Sequence, residues 1–266
     1  MMLKVHPQLF LAELRREWRA WWSYRFQALS TTLLWLVAFP FMMVTFDGVA
    51  GGYGPERQLA SLIGFLVWNL CMSVLATAAE SVTTEARQGT LESVLLAPVS
   101  PLAIFSLRLA AVFIREGVET AVLGLVLALI LGLSFTLSAP ALLVIWLTIL
   151  SVAGVGLALG GLALVYKRID SVVAVITLLA VLFTGALVPL NSLGSLFQVL
   201  KYTLPTTWGI DALRQVMVEG TGWVALWQDG SWVGVGVQTA VFLLLGSMIF
   251  NWSFQHALRQ GSLGTY

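Results

Sequence analysis

Long uncharged stretches separated by short charged ones organise this chain. An α-helix needs about 20 apolar residues to cross the hydrocarbon core of a bilayer. Residues 28–46 meet that length without a charge, and residues 58–79 do so again. Residues 120–166 carry no charge and are too long for one crossing; Pro140, preceded by Ser134, Thr136 and Ser138, divides them into a third and a fourth span. Residues 171–190 supply a fifth and residues 231–258 a sixth. The pattern predicts an all-α integral membrane protein with six transmembrane helices over residues 28–258 and a short tail at 259–266.

Two segments outside the spans keep a helical period. Over residues 8–25, Phe10, Leu11, Leu14, Trp18, Trp21 and Trp22 fall on one arc, and Glu13, Arg16, Glu17 and Arg19 on the other. Trp on an apolar face with Arg15, Arg16 and Arg19 beside it marks a helix lying in the membrane interface, in contact with lipid. The charged N-terminal stretch, residues 1–27, is too long for the basic region of a secretory signal, so the first span is expected to be retained. The second segment, 191–230, is too long for an unstructured loop and too apolar for a solvated linker. After Pro205 it shows Trp208, Ile210, Leu213, Val216 and Met217 at helical spacing, with Thr206 or Thr207 as N-cap and Gly220 as stop. Two short helices dipping into the outer leaflet over about 191–222 account for it.

Composition agrees with the spans. Of 266 residues, 59% are hydrophobic and 10% charged, with mean hydropathy +0.91; soluble domains carry about 25% charged residues. Net charge is +1, which argues against a nucleic-acid partner. The 14 Lys and Arg are unevenly divided. Arg57, Lys201 and Arg214 fall on one side of the six spans; the N-terminal segment, the 2–3 and 4–5 connections and the C-terminus hold the rest. The positive-inside rule then places both termini in the cytoplasm, in a bacterial-type inner membrane.

Chemistry is sparse. His6 and His256 stand near opposite ends, Cys71 is alone in an apolar run, and no metal-ligand cluster or nucleophile–base pairing is evident. No phosphate-cradling GxxxxGK[ST] occurs, and none of Lys4, Lys167 and Lys201 follows a glycine. The chain is therefore not expected to be an enzyme or to hold a cofactor, and any ATP must be bound by another chain. Arg115, Glu116 and Glu119 stand at the inner edge of a third span starting near Gly117, where Arg115 and Glu119 are i,i+4 neighbours able to pair. Trp35, Asn69, Thr177, Thr184 and Trp208 are further candidates for a pathway or gate, each also readable as a packing residue. Gly154, Gly156, Gly160 and Gly161 permit close helix approach, Gly156 and Gly160 at GxxxG spacing.

One polar island remains, over about 84–98, between spans two and three. It reads Glu85-Ala86-Arg87-Gln88-Gly89-Thr90-Leu91-Glu92 and runs to Pro98. It has length for about three helical turns, with Thr83 or Thr84 as cap and Leu91, Val94 and Leu95 on one face. The island resembles the E-x-x-x-GTLE…P-V-S segment of the permease subunits of ABC-2 type ABC exporters, within them the drug and antibiotic exporter branch. Residues 204–214, with Pro205 and Asp211-Ala212-Leu213-Arg214, resemble that family's segment before span six. The resemblance implies an exporter in which two permease copies, identical or sibling chains, form the pathway above two ATP-binding subunits that hold Mg-ATP. It also implies that the island is a coupling helix. Glu85, Arg87, Thr90 and Glu92 would face the ATPase, Gly89 would allow close approach, Leu91 would pack back on the permease, and Pro98 would end the helix. A drug, natural product or lipid fits such a pathway; a polysaccharide exporter and an ATP-independent carrier are the alternatives.

Overall fold

A computed structural model describes residues 7–50, 54–87, 99–134, 137–166, 169–183 and 204–260, and every regular element among them is a helix. In chain order these are α1 (Pro7–Ser23), α2 (Arg25–Ala50), α3 (Pro55–Arg87), α4 (Pro101–Leu131), α5 (Ala139–Tyr166), α6 (Asp170–Phe183), α7 (Thr207–Met217), α8 (Trp223–Gln228) and α9 (Ser231–Gln260). Four of them are long and apolar enough to cross a membrane: α2 over Arg25–Thr45, α3 over Pro55–Ala78, α5 over Ala139–Tyr166 and α9 over Ser231–Arg259.

The other two expected spans fall in helices with other bounds. The third lies in a helix that begins well before Gly117. Ser100 caps a helix whose first residue is Pro101, its Oγ accepting from the Ala103 amide at 3.3 Å, and the helix then runs 31 residues through Arg108, Arg115, Glu116 and Glu119. Its charged half is thus continuous with its apolar half. The fifth is described over 14 residues only, ending at Phe183 before Thr184.

Local chemistry sets the boundaries. Gly132 stops α4 in the left-handed region at φ 65°, and the Leu133 amide donates back to the Ala128 carbonyl at 2.9 Å. Pro140 lies in the first turn of α5, where a missing N–H costs nothing, so it marks the start of the fourth span as the sequence suggested. By contrast, Thr83 and Thr84 cap nothing: α3 runs through them without a break to Arg87, 33 residues in all.

Packing is tightest between α5 and α9. In lipid, helices gain little from burying apolar area against one another, and close van der Waals approach through small residues replaces it. The seam uses Gly154 and Gly161 of α5 with Gly246 of α9. A Cβ on Gly154 would stand 2.2 Å from the Phe242 carbonyl oxygen, and one on Gly246 would stand 1.9 Å from that of Gly154. Gly156 faces α3 and α4 instead, at ordinary distances from Ala78 and Leu109, so the GxxxG pair is not this seam. A buried core of Val74, Leu109, Leu157, Leu164 and Phe250 joins α3, α4, α5 and α9.

The short helix α7 is wedged into the bundle rather than laid on its surface. Ile210 and Leu213 are buried, Arg214 Nε donates to the Ala60 carbonyl of α3 at 3.1 Å, and Trp208 lies over Gly234 of α9. Thr206 holds the N-cap position without a side-chain cap bond, and Gly220 lies past the end at φ 69°. The second short helix, α8, is held to α9 by stacking of Trp223 on Trp232 at 5.0 Å.

At the opposite end of α3, α1 packs along the first half of α4. Here the expected orientation is corrected. Trp18 and Trp22 do face outward, but Trp21 turns inward, and of the acidic residues of the polar arc Glu13 is buried and Glu17 half-buried against the protein. Glu13 is 8% exposed and Arg108 of α4 3%; Arg108 Nε stands 3.5 Å from Glu13 Oε2, with Arg16 of α1 at 3.2 Å from the same oxygen. Arg15 and Arg19 stay on the exposed side. Charges in α4 require opposite charges on the helix that covers them, and α1 supplies them.

Two outcomes follow for the purified protein in detergent micelles, read as thermal unfolding. Gly154→Ala lowers stability by about 1–3 kcal/mol, since its methyl meets backbone that cannot yield cheaply, whereas Gly236→Ala, with open space around it, leaves stability unchanged or raised. Arg108→Ala costs about 3–5 kcal/mol by leaving Glu13 buried beside one cation fewer, and Glu13→Gln combined with Arg108→Met recovers most of that loss.

Candidate functional site

A cavity of about 590 Å³ opens between α1, α2, α3 and α4. Its walls are helical stripes of polar residues. On α2 the stripe is Gln27, Thr31 and Thr32, ending at Trp35; on α3 it is Asn69, Ser73, Thr77 and Glu80, at spacings of four, four and three. From α4 come Arg115, Glu116, Glu119 and Thr120, with Glu17 and Trp21 of α1 closing the side. The spacings are those of one helix face, so each span turns a polar side to the cavity.

Arg115 organises the charged wall. Its Nη2 lies 2.5 Å from Glu116 Oε1, its Nη1 3.4 Å from Glu119 Oε2, and its Nε 3.6 Å from Glu17 Oε2. The Arg115–Glu119 pair expected from the i,i+4 spacing is present. Trp21 Nε1 donates to the other oxygen of Glu119, which fixes that carboxylate from α1. Glu17 is shared with Arg16 at 3.3 Å. The charged groups of two helices are thus interleaved, and no carboxylate of this set faces the cavity without a cation near it.

Deeper along α2 and α3 the cavity ends on aromatic rings. Trp35 meets Phe65 edge-on at 5.2 Å and Trp68 at 5.7 Å, and Phe39 packs on Phe65 at 4.6 Å. These rings and Leu62, Leu123 and Leu127 form a separate buried core. A second concavity of about 610 Å³ lies between α4 and α5, lined by apolar side chains such as Phe113, Trp146 and Leu157, with Ser106 as its polar member. It offers no charge.

Three of the candidate pathway residues therefore meet: Trp35, Asn69 and Glu119. Trp208 does not join them. It belongs to α7, which is bonded to Ala60 near the other end of α3, about 30 Å from Glu80 at 1.5 Å per residue. Thr177 sits in α6, where its backbone alone is described, and Thr184 lies outside the described residues. Of the island, Glu85 and Arg87 form the last turn of α3, while Gly89, Thr90, Leu91, Glu92 and Pro98 lie outside the described residues. What the sequence reading missed is the stripe Asn69-Ser73-Thr77-Glu80. Its signal was available: four polar residues on one face of an otherwise apolar span.

No group of three or more His, Cys, Asp or Glu able to hold a metal occurs among the described residues. What the site offers is a charged, hydrogen-bonding recess between helices.

Comparison with known proteins bears on that recess. Residues 8–218 match the family described as ABC-2 type transporter. An inner membrane transport permease of Escherichia coli strain K12, YhhJ, is 23% identical over 167 residues, covering 61% of this chain and 44% of the relative. The protein of the same name from Shigella flexneri matches to the same extent. The match thus spans less than half the length of either relative. With a family match over most of its length and membrane-spanning helices in its structure, this chain is a multi-pass membrane protein that belongs to the ABC-2 type transporter family.

Proposed function

We propose that the chain is the transmembrane permease subunit of an ATP-driven exporter, and that the cavity between α1 and α4 is the inner part of its pathway. One observation carries this reading. The helix that walls the cavity with Asn69, Ser73, Thr77 and Glu80 continues unbroken to Glu85 and Arg87, where the polar island begins. A continuous helix transmits a displacement along its axis without loss, because every turn is fixed by its i→i−4 bonds. A push on the island is thereby a movement of the cavity wall.

In this reading Glu85, Arg87, Thr90 and Glu92 meet a separate ATP-binding subunit that holds Mg-ATP, Gly89 admits it closely, and Leu91 and Pro98 shape the segment. Two ATP-binding subunits serve two permease copies, identical or sibling chains. Six spans in the inner membrane, with both termini cytoplasmic, place the island and α1 on the side of ATP. Family membership supports the kind of partner, and the exposed apolar flank of α2, with Phe26, Leu33, Val37 and Phe41, leaves room for the second copy along the cavity. The substrate is a hydrophobic or amphipathic small molecule entering from the inner leaflet or cytoplasm.

Two experiments test the coupling. Glu85→Ala combined with Glu92→Ala weakens capture of the ATPase and ATP-driven transport by about tenfold or more, the scale of lost charged contacts in an interface; wild-type transport by that inserted double variant refutes the role. Val82→Pro breaks α3 between cavity and island, at about 3 kcal/mol for the helix. It abolishes transport in vesicles while the ATPase still co-purifies; retained transport would show that α3 is not the lever.

A further inference from the structure

Three features of the cavity go beyond what a passage for an uncharged solute needs. The first is its charge. Glu17, Glu80, Glu116 and Glu119 line it together with one guanidinium, Arg115. Adding the flanking Glu13, Arg16 and Arg108 leaves acidic groups in the majority among the described residues. Arg115 alone is shared among Glu17, Glu116 and Glu119, so one positive charge stands against three negative ones and the set keeps an excess of negative charge.

The second is a pair of unmet polar groups. Thr120 is 8% exposed and lines the cavity, yet its hydroxyl makes no hydrogen bond among the described residues. The half-buried carboxamide of Asn69 makes none either. A buried hydroxyl usually has a partner, and Thr120 on α4 and Asn69 on α3 both line the recess, so each offers its hydrogen-bonding capacity to a molecule held there. The third is aromatic: Trp21, Tyr24 and Trp35 line the same recess, and aromatic faces attract a cation that has shed its water. The volume of about 590 Å³ suits one small molecule.

We propose that the cavity binds a cationic amphiphile: an aromatic or aliphatic body bearing a protonated or quaternary amine. The cation sits by Glu119 and Glu116, and the apolar body lies toward Trp35 and Leu123. An anion of the same shape meets carboxylates it cannot pair with, a desolvated like-charge contact. The proposal rests on the permease reading for the meaning of the site and names the substrate class within it.

Tetraphenylphosphonium and tetraphenylborate share a shape and differ in the sign of their charge, so they separate charge from hydrophobicity without any variant. Binding of each to the full chain in dodecyl maltoside micelles is followed by tryptophan fluorescence, with protein-free micelles as blank. The phosphonium binds saturably and the borate does not. Glu119→Gln, which keeps an acceptor for Trp21, weakens phosphonium binding about tenfold; should that variant fail to fold, Glu80→Gln on the exposed rim shifts affinity in the same direction. No saturable phosphonium binding, equal binding of the two ions, or unchanged affinity in the folded variant overturns the proposal. The assay contains neither ATP nor ATPase. Failure to bind alongside intact ATP-driven transport rejects the charge assignment and spares the permease; binding by a chain that never captures an ATPase rejects the permease and spares the site.

Discussion

The guanidinium of Arg115, held among Glu17, Glu116 and Glu119, is the contact on which the arrangement of the α1 end of the bundle depends. A charge near the hydrocarbon edge of a bilayer persists only if opposite charge reaches it. α4 carries Arg108, Arg115, Glu116 and Glu119 within three turns, and a lone helix of that composition has no stable place in lipid. α1 meets the demand with Glu13, Arg16 and Glu17, and Trp21 adds a bond to Glu119. Once α1 is fixed to α4 in this register, the start of α2 follows through the short turn at Tyr24, and the cavity has its fourth wall.

The bundle divides into a tight part and a loose one. α5 and α9 meet backbone to backbone at Gly154 and Gly246, and α7 is keyed into them under Trp208. Such a seam has one packing arrangement and resists sliding. α2 stands at the other extreme: only 6% of its spanning window is buried, against 56% for α3. Its contacts are the aromatic group around Phe65 and the cavity itself. In the proposed reading, a displacement of α3 from its Glu85 end meets least resistance on the side of α2, where the cavity lies.

Much of the site was legible residue by residue and illegible as a set. Trp35, Asn69 and Glu119 each stood out as polar or amphipathic groups in apolar surroundings, and the Arg115–Glu119 pairing follows from helical spacing alone. Their meeting did not, because it depends on how three helices rotate about their own axes. The hydropathy of a span is nearly blind to that rotation when most faces are apolar. The same blindness affected the glycines: Gly156 and Gly160 have the motif spacing, but Gly154 and Gly161 face α9, and only the partner helix decides which of two small-residue stripes is the seam.

Apolar run length, turn chemistry and charge placement were enough to give the helices, the break before Pro140, the class of protein and the residues able to pair locally. Each is a property of one segment and the solvent it would meet. The burial of Glu13 and half-burial of Glu17 between α1 and α4, the run of α4 back to Pro101, the continuity of α3 from Asn69 to Arg87 and the convergence of its polar stripe on Glu119 were decided by tertiary structure. An amphipathic helix lays its polar face to water by default. Here its two carboxylates, Glu13 and Glu17, turn inward while Arg15, Arg16 and Arg19 stay exposed, because charges on a neighbouring helix, remote in sequence, cost more unpaired than those carboxylates gain from solvent.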